Sequence, residues 1–161
     1  MGNNALCEQQ RNQQSKTLGS GYKPEPVRDY TMTKDEIIQY WIDSSEVDFK
    51  AMESLFANGH YVWSLFTGHL VLEKLLKACY VKYIDNKFPQ IHHLLKIAEG
   101  ANLELSEEQK NFLLEVTAFN LEARYPDHKN RFYKKATREF STYYLKTIKE
   151  FRQWLIRKIN S

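Results

Sequence analysis

Hydrophobic side chains recur at three- and four-residue intervals through most of the chain, a spacing that predicts helices. Ile38, Trp41, Ile42, Ser45, Phe49, Met52 and Leu55 form one such stripe. It opens at Thr33-Lys34-Asp35-Glu36, a capping box in which the threonine hydroxyl accepts a helix-start amide and Glu36 reaches back. Asn58-Gly59 then supplies a left-handed stop. A second long helix is predicted from about Tyr61 to Ile84, with Val62, Leu65, Phe66, His69, Leu72, Leu76, Cys79 and Tyr83 on one side. Apolar residues cover more than half its circumference, which places it at the centre of the fold.

Asp85 to Pro89 reads as a turn, followed by a short helix over about Gln90 to Glu99 that Gly100 ends. Ser106-Glu107-Glu108-Gln109 is a second capping box, opening a helix that carries Phe112, Leu113, Val116 and Phe119. Pro126 forces a break over Glu122 to Lys129. The last helix begins near Thr137, with Phe140, Tyr144, Ile148, Phe151 and Leu155 as its buried stripe and basic residues on its outer face. No useful length alternates at period two. The expected fold is all-α, an antiparallel up-and-down helical bundle of four to five helices. Trp41, Trp63, Phe66, Phe112, Phe119, Phe151 and Trp154 fall on the stripes and are expected in the core.

The chain has 161 residues, suited to one domain with a real core. Residues 1–31 differ from the rest: Gln- and Asn-rich, then Lys23-Pro24-Glu25-Pro26, an extended spacer. They read as a poorly ordered arm before a domain over 32–161. Two cysteines, Cys7 and Cys79, cannot build a disulfide framework, and no Cys/His cluster has zinc-ligand spacing. No run approaches the ~20 apolar residues of a membrane span, and no hydrophobic signal region opens the chain. The expectation is a soluble, cytoplasmic protein that needs no cofactor or metal.

Charge adds an asymmetry. Of a net +3, the segment from Lys129 to Ser161 carries +8 and residues 1–128 carry −5. Such a basic third suits a polyanion or an acidic protein, although a solvated helix face would look the same. Tyr133, Tyr143 and Tyr144 interleave with Lys134, Lys135 and Arg138, a pattern that would serve base stacking on single-stranded RNA or simply tyrosines at a bundle edge.

The candidate chemistry concentrates in Asn120-Leu121-Glu122-Ala123-Arg124-Tyr125-Pro126-Asp127-His128, between two helices. Arginine grips phosphate through parallel hydrogen bonds, and histidine passes protons near neutral pH. Together they are a minimal kit for metal-free phosphodiester cleavage. The structural alternative has Arg124 capping the carbonyls of the helix before it, with Asp127 as its ion partner and Tyr125 and Pro126 plugging the bundle end. His92 and His93 are adjacent, so on a helix they diverge by about 100° and would not share a metal; His93 at a helix start bonding a backbone carbonyl is the plainer role. His69 lies on the buried face of the second helix as a core or dimer-interface histidine, and Glu73 and Lys77 form an ordinary i,i+4 pair.

The helix Leu70-Val71-Leu72-Glu73-Lys74-Leu75-Leu76-Lys77-Ala78, then Pro89 with His92-His93-Leu94, then Ala123-Arg124-Tyr125-Pro126-Asp127, resembles the HEPN domain family (higher eukaryotes and prokaryotes nucleotide-binding) in order and gaps. The likeness covers about Thr33 to Ile159, and its Arg-Tyr-Pro-Asp turn is similar to that of nucleotidyltransferase-associated members. It implies a homodimeric bundle like the helical half of aminoglycoside nucleotidyltransferases, a nucleotide- or RNA-binding component paired with a minimal nucleotidyltransferase in a toxin–antitoxin system. The alternative it implies is a metal-independent endoribonuclease toxin with a composite site at the dimer interface. Arg124 and His128 would then be catalytic, although only three residues separate them where the family's nucleases have four to six. Arg124, Tyr125, Asp127, Lys77 and His93 are the candidate ligand-binding residues.

Overall fold

A computed structural model describes residues 32–161, with the side chains of all of these except residues 126–130. Six helices run in order: α1 (Lys34–Ala57), α2 (Tyr61–Tyr83), α3 (Leu94–Gly100), α4 (Glu107–Glu122), α5 (Pro126–Lys135) and α6 (Arg138–Asn160). Among the described residues there is no strand, and the domain is an all-α helical bundle.

Local chemistry sets the ends. Thr33 and Ser106 each close a full capping box, accepting from Glu36 and Gln109 amides while those side chains return a bond. Gly59 takes φ +78°, the left-handed turn that lets α2 fold back on α1. The predicted short helix starts later than its sequence suggests, at Leu94, because His93 is its cap. The expected break after Glu122 is narrower than expected. Pro126 sits at the first position of α5, where its missing N–H costs nothing, so the proline starts a sixth helix rather than prolonging a loop.

α2 lies at the centre, packed on α1, α3, α4 and α6. Val71, Leu72, Leu75, Leu76 and Ala78 are sealed from solvent, as are Met52 of α1, Leu113 and Val116 of α4, and Ile148 and Leu155 of α6. Contact is close at Gly68, where a Cβ would stand 2.6 Å from Ile148 Cδ1 and 3.1 Å from Met52 Sδ. Polar bonds fix the pairings. Ser45 Oγ donates to the Val71 carbonyl and Ser64 Oγ to the Met52 carbonyl, and Lys74 pairs with Asp48 at 2.6 Å. α6 is clasped to α1 by Lys149–Glu53 at 2.5 Å and by Arg152–Glu46, so part of the basic third is neutralised internally.

One aromatic expectation is corrected, and one alternative is decided in favour of the buried stripe. Trp63, in the first turn of α2, is 38% exposed rather than core, with its ring edge-on to Phe66 at 5.9 Å. Tyr144 is buried at 7% exposure and donates its hydroxyl to Glu115 Oε2 at 2.7 Å, so it is unable to stack on a base. Tyr143 and Tyr133 are exposed. Among the described residues, no helix is long and apolar enough to cross a membrane.

Candidate functional site

His69, Glu73 and Lys77 stand at four-residue intervals on α2, one above the other on the same face. All three are buried, and Glu73 retains only 5% of its exposure. Charges at such depth persist only when paired and hydrogen-bonded. The Glu73 carboxylate supplies the pairing: Lys77 Nζ donates to Oε1 at 2.8 Å and His69 Nε2 to Oε2 at 3.3 Å. A fourth residue arrives from outside α2. His92, in the segment leading into α3, donates from Nδ1 to both carboxylate oxygens, at 3.0 and 3.1 Å. Lys77 is further enclosed by the rings of Trp41 and Phe88, whose centroids lie 5.2 and 5.4 Å from Nζ.

Because an ionised carboxylate only accepts, both imidazoles must carry a proton on the nitrogen that faces it. That fixes the tautomers. His69 holds its proton on Nε2, and its Nδ1 is buried without a described partner. His92 holds its proton on Nδ1, which leaves Nε2, on the other edge of a side chain 65% exposed, as its basic nitrogen. Burial lowers the His69 pKa from 6.5 to about 4; Glu73 opposes the shift, and the positive charges of His92 and Arg124 reinforce it. His69 is therefore neutral at physiological pH.

Arg124 follows the end of α4. Its Nε donates to the Asn120 carbonyl at 2.8 Å, and the guanidinium lies 5.9 Å from the Tyr125 ring centre. The helix-capping role considered for Arg124 is thus present at one nitrogen, while the side chain stays exposed. Tyr125 is also exposed and is the cap residue of α5. Asp127 and His128 fall in the first turn of α5, and their side chains lie outside the described residues.

The sequence-derived candidates therefore separate. Lys77 is drawn into the cluster, and Arg124 and Tyr125 stand at the corner between α4 and α5. His93 does a different job: its Nδ1 accepts the Lys96 amide at the start of α3, an amide rather than the expected carbonyl. In the sequence His92 stands beside His93 as a metal or catalytic candidate, His69 reads as a core histidine and Glu73 as the partner of Lys77, and none of the three enters the expected site. One signal for them was visible, namely a polar ladder at positions 69, 73 and 77 inside an otherwise apolar face. Among the described residues, no group of three His, Cys, Asp or Glu side chains could hold a metal ion.

A family model for the HEPN domain matches residues 38–159, most of the chain and all of the site just described. The chain belongs to the HEPN domain family. No curated protein and no solved structure matches it.

Proposed function

We propose that this HEPN domain binds a phosphate-bearing nucleotide or RNA at the corner between α4 and α5, acting as a homodimer with a minimal nucleotidyltransferase in a toxin–antitoxin pair. One observation supports it above the others: the guanidinium of Arg124 is exposed at that corner, its Nε resting on the Asn120 carbonyl. A guanidinium offers phosphate the paired donors it binds best. Tyr125 beside it is the hydroxyl a nucleotidyltransferase would modify, and Asp127 would orient Arg124. Exposed Tyr143 and Tyr133, next to Lys134, Lys135 and Arg138, would extend contact along a single strand.

Fluorescence anisotropy with a labelled single-stranded RNA and with ATP tests the binding. Arg124→Ala should weaken it about 10- to 100-fold, the worth of a charge-assisted hydrogen bond. Wild-type protein that binds neither ligand at micromolar concentration refutes the reading. Co-purification with the nucleotidyltransferase encoded beside it tests the partnership, and lack of any such neighbour removes that part.

A second reading, the metal-independent endoribonuclease, is favoured by the exposed imidazole of His92, pre-oriented by a buried carboxylate. Cleavage would survive EDTA and leave 2′,3′-cyclic phosphate ends. Loss of cleavage in Arg124→Ala and His128→Ala would put both residues in the site, and full activity in either variant would remove that residue from it.

A further inference from the structure

Phosphodiester cleavage without a metal needs a base of moderate strength, kept in one orientation and open to the substrate. We infer that His92 is the proton-transfer residue of this site and that Glu73 is the residue that positions it, an inference that rests on the endoribonuclease reading. Four observations converge. His92 is mostly solvent-exposed although its Nδ1 is tied to a buried carboxylate by two bonds. The carboxylate fixes the tautomer, so the nitrogen on the far edge of the ring is the one able to accept a proton. Glu73 is itself held from behind by Lys77 and His69, so it cannot swing out with the imidazole. Arg124, exposed at the α4–α5 corner with its Nε on the Asn120 carbonyl, is the guanidinium that would hold the phosphate.

The step balances without any further reagent. The ribose 2′-oxygen forms a bond to phosphorus while its proton passes to His92 Nε2. The bond from phosphorus to the 5′-oxygen breaks, and that oxygen takes a proton from water. The hydroxide so formed recovers the proton from His92, which returns the site to its starting state. The products are a 2′,3′-cyclic phosphate and a 5′-hydroxyl. Glu73 stabilises the imidazolium that exists between these events, as the carboxylate does in other carboxylate–histidine pairs.

Among the described residues, the carboxylate facing His92 is Glu73, with Lys77 and His69 paired to it from behind on α2. Removing the Glu73 charge therefore has a defined direction: the imidazolium loses its counter-ion, and His92 holds its proton less tightly. The experiment uses full-length protein, a fluorescent single-stranded RNA and EDTA, with cleavage and anisotropy read in parallel. His92→Ala should lower the cleavage rate about 100- to 10,000-fold while RNA affinity stays within threefold of wild type. In Glu73→Gln, the acid limb of the rate against pH should move to lower pH, and Glu73→Asp should return it toward the wild-type position.

Should Glu73→Gln fail to fold, His92→Ala still decides, because that side chain is largely exposed and contributes little to the core. Wild-type cleavage matched by His92→Ala overturns the assignment and leaves the endoribonuclease reading standing. Wild-type protein that binds RNA and never cleaves it overturns both. A Glu73→Gln enzyme that is slower with an unmoved acid limb refutes the positioning role of Glu73 alone.

Discussion

Neutral His69 inside the bundle makes stability depend on pH in a calculable way. In the unfolded chain the imidazole titrates near 6.5; in the fold, burial first and then the nearby cations bring it to about 4. Above pH 6.5 both states are neutral, and this residue contributes no pH dependence. As pH falls through 6.5 the unfolded chain takes up a proton that the folded chain refuses, so the native state loses ground. The loss is complete once pH drops past 4, where the folded protein is protonated too. Between pH 7 and pH 4.5 the linkage amounts to about 2.5 kcal/mol from this side chain. His69→Gln keeps an amide donor for Glu73 and removes the titration. Urea unfolding followed by tryptophan fluorescence at the two pH values should then show a smaller acid loss in the variant, by that amount. An equal loss in both proteins would refute the argument, since it would mean that His69 titrates in the fold as it does in water.

Three further outcomes follow from the packing. Glu73→Ala leaves the Lys77 ammonium buried and unpaired and should destabilise the domain by about 3–5 kcal/mol, whereas Glu73→Ala with Lys77→Met should recover much of that in the same urea assay. Gly68→Ala places a methyl 2.6 Å from Ile148 Cδ1, and calorimetry should register a loss of about 1–3 kcal/mol; pairing it with Ile148→Val should restore part of the stability. Burial pushes the Cys79 thiol up to about 12, so in a Cys7→Ser background a thiol reagent at pH 8 should label the protein only at the rate of global unfolding; rapid labelling of the folded protein would contradict the packing around α2.

Features governed by near neighbours were legible in the sequence. Thr33 and Ser106 announce their helices through groups three residues away, and Gly59 turns the chain because its own backbone permits it. The stripes of α2 and α6 were likewise readable, since period alone decides which face is buried. Features that depend on distant partners were not. The bond from His92 to Glu73 spans nineteen residues of chain and exists only because the connection into α3 returns across α2. Glu73–Lys77 has the spacing of a surface pair, and only the layer formed by Trp41 and Phe88 turns it into an enclosed one. Tyr144 fell on the buried stripe of α6 by its period, but the acceptor for its hydroxyl, Glu115 on another helix, was not legible. The reverse holds for Trp63, which has the right period and yet stays 38% exposed.

A central helix such as α2, apolar over more than half its circumference, could settle against its neighbours in several rotational settings at little difference in energy. Its acidic side chain selects among them. Advancing the helix by one residue swings each side chain through about 100°, which would set that carboxylate against aliphatic chains and strand the ammonium one turn away. The same four residues that would serve chemistry thereby act as the index mark that keeps the central rod from slipping, so a substitution among them would be felt as misalignment on the far side of the bundle as well as at the corner.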